Sequence, residues 1–313
     1  MMSVATIAGI SGQLIYRPSL RTDSVAYEDL PVAPSEIAQS IRMMATPPPD
    51  ASAYRAVFNT SISHSSESPE PFGHRVSNYL SKIEHFEETH LDDVYLESDQ
   101  TSVLVRTFGR LDRLQSLVGH GNFNVISFDD MTRYANNHSV VSPFQPDELD
   151  FLDQMFHATV ARYGFYGEKV TPRMTAIVPE ADRFKVPYTG HFLFRGDSMR
   201  HYERIRKDAG DTVVLTSGIR SVVKQSYLFL AKTIQSGGNL SRASRSLAPP
   251  GHSFHGIGDF DVGKVGLGFK NFTSDFARTE EFRRLVELGY VEMRYPPNNL
   301  FGVRYEPWHI KVV

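Results

Sequence analysis

In the last third of the chain, strand-forming runs are separated by turn chemistry instead of crossover helices, and this restricts the fold more than any other feature. Asp211–Thr216 (DTVVLT) is β-branched and runs into the turn pair Ser217-Gly218. Two further runs, Tyr290–Tyr295 and Leu300–Tyr305, are separated by PPNN, and the chain ends on the strand-like HIKVV. Short turns join antiparallel neighbours, whereas parallel pairs need a long crossover. The pattern therefore predicts an α+β fold, mainly an antiparallel sheet with flanking helices. Helices are expected at Ser221–Gln235, closed by Gly237-Gly238, and at Thr279–Leu288, where Thr279 can cap and Glu280 and Glu281 suit the positive end of the helix dipole.

Upstream the composition changes twice. From Pro31 to about Phe72 the chain is crowded with Pro and Ser (PVAPSE, TPPPDAS, SHSSESPEPFG), which favours extended backbone. Residues 1–72 read as an arm or linker, 73–186 as an accessory region of mixed α/β character, and 187–313 as the domain that carries chemistry. Within the accessory region Pro146–Gly164 predicts an amphipathic helix. Leu149, Leu152, Phe156 and Tyr163 share one face, acids fill the first turn and Gly164 stops it.

Composition narrows the chemistry. The chain has 313 residues, 41% of them hydrophobic, enough for a sizeable core. A formal net charge of -3 lacks the basic footprint of a nucleic-acid binder. No run approaches the roughly 20 apolar residues of a membrane span, and residues 1–16 lack the basic start and apolar run of a signal peptide. With no cysteine, thiolate ligands, thiol catalysis and disulfides are excluded, leaving His and carboxylates as the strong metal ligands.

Three segments hold the residue types a hydrolytic metal site needs. Ser253 to Asp261 (SFHGIGDFD) places one imidazole, His255, and two carboxylates, Asp259 and Asp261, among bend-permitting glycines. Glu306-Pro307-Trp308-His309 sets a carboxylate three residues before an imidazole, and Ser217-Gly218-Ile219-Arg220 puts an arginine after a strand-ending turn. Catalytic zinc takes three protein ligands and keeps a fourth position for water, so two histidines and one carboxylate suffice. A spare carboxylate can serve as base, and an arginine can hold an oxyanion or a substrate carboxylate. Positions i and i+3 point oppositely on a regular strand, so Glu306 and His309 can cooperate only if the chain bends at Pro307-Trp308.

The run PPGHSFHGIGDFDV resembles the Ser-x-His-x-x-Gly-x-Ala-x-Asp signature of zinc D-Ala-D-Ala carboxypeptidases of the VanY type, a group of LAS-like metallopeptidases. RYEPWHIKVV is similar to their terminal Glu-x-Trp-His segment, and TSGIRS to their Ser-Gly-Tyr-Arg-Ser segment, all in the expected order. The resemblance covers about residues 187–313. It implies a Zn2+ ion held by His255, Asp261 and His309, Glu306 as catalytic base, Arg220 on the substrate's carbonyl oxygen, and Ser253 and Ser217 in the substrate-binding wall. Asp261 lies six positions after His255 where the family has seven, and Phe260 fills the family's Ala position, so Asp259 stands as the alternative third ligand. The resemblance also implies peptidoglycan or its peptide precursors as partner, a periplasmic or envelope location, and release of terminal D-alanine. An endopeptidase cutting L-Ala-D-Glu or a crosslink, and a non-catalytic zinc-containing wall-recognition module, are the rivals.

Other signals carry less. His85 and His90 in HFEETH are five apart instead of the four a metalloprotease helix requires, and read as a polar helix surface. The glycine-rich Gly263–Gly268 lacks the spacing of a phosphate loop and reads as the exit turn of the metal strand. His252 is either a neighbour of the site or an exposed loop residue. Trp308 reads as core, and the HFLFRGD run around His191 as a core strand.

Overall fold

The computed structural model describes residues 72–313. The predicted arm, residues 1–72, falls almost wholly outside them. Nine α-helices are present among the described residues: α1 (Phe72–Glu84), α2 (Gln100–Val118), α3 (His120–Phe123), α4 (Phe128–Asn137), α5 (Pro146–His157), α6 (Asp197–Ala209), α7 (Val222–Gln235), α8 (Leu240–Ser246) and α9 (Glu280–Glu287). Strands β1 (Arg183–Lys185) and β2 (Phe192–Phe194) form an antiparallel pair; β3 (Val213–Ser217), β4 (Phe260–Lys264) and β5 (His309–Ile310) form an antiparallel sheet in that order. The fold is α+β, with small antiparallel sheets among helices.

The accessory region is more helical than its composition predicts. Among described residues before Arg183 no strand occurs, only an isolated bridge between Tyr95 and Asn239. Helix α2 shows why: Leu104, Phe108, Leu111 and Gln115 are buried at three- to four-residue spacing, a helical stripe. The helix predicted over Pro146–Gly164 ends at His157, where Lys169 Nζ donates to the carbonyl of Phe156 at 2.5 Å, and resumes as a 3-10 turn at Val160–Tyr163. His85 to His90 lie past the end of α1, so that stretch is a turn and not a helix surface. Val265-Gly266 is indeed a turn leaving β4.

Two hydrophobic cores result. One gathers Leu104 to Phe165 with Val223 to Ala243, Tyr295 and Val303; the other packs β3, β4, β5 and Trp308 against Tyr202 and Ile205 of α6 and Phe282 and Leu285 of α9. Helix α7 is buried on every side from Val222 to Ile234, capped by Ser221, whose hydroxyl accepts from the amide of Lys224. Its buried lysines are paired, Lys224 donating to Gln115 at 3.2 Å and Lys232 to Glu87 at 2.8 Å, and α7 anchors the loop after β3 to the helical half. Thr279 caps α9 as predicted, accepting from the amide of Phe282.

Tyr290–Tyr295 and Leu300–Tyr305 are not strands. Pro296 and Pro297 cannot donate to a ladder. Asn299 instead organises the connection: its Nδ2 donates to the carbonyls of Pro296 at 2.8 Å and Val303 at 2.6 Å, and its Oδ1 accepts from the amide of Phe301 at 3.0 Å.

Candidate metal centre

Strand alternation sorts the site from the core. Phe260, Val262, Trp308 and Ile310 turn into the sheet-side core, so Asp261 and His309 face the other way. They are also direct cross-strand partners, as are Asp261 and Ser217. The β3–β4 register slips between Leu215 and Ser217, leaving Thr216 as the extra residue and bringing Ser217 opposite Asp261. His255 comes from the 3-10 turn Phe254–Gly256, pinned because the amide of Arg220 donates to its carbonyl at 3.3 Å.

One ligand atom each from His255, Asp261 and His309 lies within 4.8 Å of the others, and all three residues are buried. The imidazole orientations follow from their other nitrogens. His255 Nδ1 donates to the carbonyl of Gly218 at 2.8 Å, which leaves Nε2 facing Asp261 Oδ1 at 3.2 Å. Gly218 must be glycine there, since a Cβ would stand 2.0 Å from the carbonyl oxygen of Phe192. His309 Nε2 donates to Asp259 Oδ2 at 2.9 Å, which leaves Nδ1 facing Asp261 Oδ1 at 3.3 Å. Asp259 therefore sits behind His309 and not beside Asp261. Its other contacts hold it there: Arg294 Nε donates at 2.6 Å and the amide of Val312 at 2.8 Å. A carboxylate behind a ligating histidine fixes ring orientation and raises basicity. Sequence reasoning offered Asp259 only as a substitute ligand; the role it occupies depends on which imidazole nitrogen points inward, which spacing does not reveal.

His255 Nε2 and Asp261 Oδ1 are buried without a hydrogen-bond partner, the condition expected of groups awaiting a cation. Electrostatics agree. Burial raises the Asp261 carboxyl, but His255 and Arg220 outweigh it and hold it well below the ordinary range. Burial likewise opposes the charge on His309, yet Asp259 and Asp261 outweigh it and raise it to about 9. His255 moves the other way, lowered by burial and by Arg220. Two imidazoles and one carboxylate converging without thiolate match the donor set of a catalytic zinc site.

Glu306 joins this centre through the predicted bend. Pro307-Trp308 form a turn closed by the amide of His309 donating to the carbonyl of Glu306 at 3.3 Å, and Glu306 Oε2 lies 3.7 Å from His309 Nδ1. Burial, opposed by His309 and Arg304, raises the Glu306 carboxyl to about 7. Arg220 donates from Nε to the Ser217 hydroxyl at 2.9 Å and from a terminal nitrogen to Asp261 Oδ2 at 2.6 Å. Ser217 thus braces Arg220. Ser253 is buried at the head of the turn carrying His255 and is not among the residues lining the recess of Arg220, Asp261, Arg304, Glu306 and Trp308. His252 is buried, with Nδ1 against the carbonyls of Gly167 and Glu168 at 3.2 and 3.0 Å, so it fastens a loop and is neither exposed nor at the centre. Sequence reasoning also missed Tyr295, whose ring lies 5.1 Å from that of His309, and Arg294.

A buried two-histidine, one-aspartate focus with the further carboxylate of Glu306 beside it places the chain among candidate metallohydrolases. Residues 197–313 match the VanY family, D-alanyl-D-alanine carboxypeptidase, so the family resemblance holds over that span. Two solved structures are similar in part. One is the LdcB LD-carboxypeptidase, described as revealing the basis of peptidoglycan recognition, at 23% identity over 42% of this chain, with a TM-score of 0.36. This chain spans 63% of that protein's length. The other is a mutant of the vancomycin-resistance D,D-pentapeptidase VanY in complex with Zn(II), at 22% identity over 46% of this chain and 85% of that one, with a TM-score of 0.35. No curated protein matches the sequence.

Proposed function

We propose that this protein is a zinc-dependent peptidase of peptidoglycan stem peptides or their precursors, with release of terminal D-alanine as its reaction. The observation that carries the reading is the convergence of His255 Nε2, Asp261 Oδ1 and His309 Nδ1 in one buried focus, with Glu306 beside it. Zinc bound there would polarise water and the scissile carbonyl, bringing the water's pKa towards about 7.

The remaining work falls to the chain's own groups. Glu306 is placed to take a proton from the attacking water and return it to the leaving amine, and its near-neutral carboxyl suits both transfers. Arg220, braced by Ser217 and Asp261, faces the recess, where it can stabilise negative charge developing on the carbonyl oxygen. Ser253, at the head of the turn carrying His255, would meet the peptide outside the recess that Arg220 lines. Substrates of this class lie outside the cytoplasmic membrane, so the reading places the protein in the envelope.

Glu306→Gln tests it. The variant is expected to hold one equivalent of zinc by metal analysis while hydrolysis of a D-Ala-D-Ala pentapeptide falls by at least about a hundredfold, the lower range for a lost general base. Undiminished turnover would falsify the role.

A further inference from the structure

Four arginines near the site are shielded from solvent, and three have an acid. Arg220 meets Asp261 at 2.6 Å, Arg245 meets Asp93 at 2.7 Å, and Arg294 meets Asp259 at 2.6 Å. Arg304 makes no ion pair among the described residues, and its Nε is buried without an acceptor. Its guanidinium carbon lies over the ring of Phe86, at 4.8 Å, and over that of Trp308, at 4.9 Å. Ring contacts of this kind use the cation's charge and leave its N–H edge for other partners. That edge belongs to a side chain lining the same recess as Arg220, Asp261 and Glu306.

A buried guanidinium nitrogen lacking an acceptor is costly unless a ligand completes it. A carboxylate matches its planar fork with two parallel hydrogen bonds. A more highly charged anion fits less well, because Asp261 and Glu306 line the recess too. The segment bearing Phe86 lies upstream of the family-matched span. It is fixed by Glu87 accepting from Lys232 at 2.8 Å and Arg242 at 2.9 Å, and Arg304 itself by its amide donating to the carbonyl of Arg245 at 2.8 Å.

We propose that Arg304, held against Phe86 and Trp308, anchors the C-terminal carboxylate of the peptide, so that the recess beside Glu306 selects chain ends over internal bonds. The proposal rests on the peptidase reading above. It makes Arg304 a specificity-determining residue and gives the region before residue 197 a part in choosing substrate.

Trp308 is the chain's single tryptophan and touches the site, so its fluorescence reports binding without turnover. The zinc-loaded full chain is titrated with acetyl-D-Ala-D-Ala and with its C-terminal amide. The free acid is expected to bind roughly 10- to 100-fold tighter, the range for hydrogen bonds to a charged group. Arg304→Gln should abolish that preference and Arg304→Lys should keep part of it, with thermal melting checking that each folds. If Arg304→Gln does not fold, Phe86→Ala replaces it and should weaken acid binding selectively. Equal binding of acid and amide by the unaltered protein, or an undiminished preference in Arg304→Gln or in Phe86→Ala, overturns the anchor. Acid binding through Arg304 with neither peptide cut would leave the anchor standing and sink the peptidase reading; cleavage of both with equal affinity would do the reverse.

Discussion

Asp261 and His309 are held by a hydrogen-bonded ladder, whereas Tyr295, Arg304 and Glu306, which complete the same site, lie on a stretch that forms no strand. The ladder is a local device. Once Phe260 and Ile310 pair inside the sheet-side core, Asp261 and His309 must meet on the opposite face. The irregular stretch is positioned from further away. Tyr295 and Val303 pack in the helical core, Arg304 hangs on the backbone of Arg245, and Gly302 packs so tightly that a Cβ would come 1.9 Å from the carbonyl oxygen of Gly164. The side of the site that carries Asp261 and His309 thus depends on strand register, and the side that carries Arg304 and Glu306 on the helical half of the molecule.

Disturbing the helical half alone should separate the two sides most strongly. Asp93 and Arg245 form a buried pair, with side chains 2% and 5% exposed. Arg245→Met strands Asp93 and is expected to cost about 3–5 kcal/mol in denaturant unfolding. Burial raises the Asp93 carboxyl, but Arg245 and Asn239 hold it below its ordinary value. A depressed carboxyl contributes stability above its unfolded-state pKa and loses it as pH falls through the folded-state value, so the variant should also lose less stability on acidification. Zinc affinity of the folded variant should be unchanged. A parallel loss of zinc would show that the sheet does not hold its ligands independently.

A smaller effect is expected from the opposite perturbation. Asp259→Asn keeps the shape behind His309 but removes the charge that orients its ring. Zinc affinity, measured by chelator competition, should fall about 10- to 100-fold. An unchanged affinity would mean that the ladder alone aims His309.

This division also explains what was legible beforehand. His255, Asp261, His309 and Glu306 lie in motifs whose spacing survives folding, and the bend at Pro307-Trp308 could be inferred because i and i+3 on a regular strand cannot cooperate. Helices α7 and α9 carried their caps in Ser221 and Thr279. The backing role of Asp259 was not legible, because it depends on an imidazole tautomer set by tertiary contacts. Nor was the position of Arg304, since Phe86 and Trp308 are remote in sequence. Tyr290–Tyr295 and Leu300–Tyr305 looked like strands because aromatic and β-branched residues mark burial as readily as they mark a ladder.

Asn299 offers the finest test, because it orders the irregular stretch with one side chain. Asn299→Ala removes the donor to the carbonyls of Pro296 and Val303 and the acceptor for the amide of Phe301, while no ligand or sheet residue is touched. Neutral hydrogen bonds of this kind contribute about 0.5–1.5 kcal/mol each, partly offset when water replaces them, so a global loss of roughly 1–3 kcal/mol is expected. Asn299→Asp should not restore it, since an ionised carboxylate accepts but cannot donate. If the side carrying Arg304 and Glu306 is set by this stretch, kcat/KM should fall in both variants with zinc content preserved. Should zinc content fall together with kcat/KM, register and loop would prove to be one cooperative unit, and the separation between the two sides of the site would be lost.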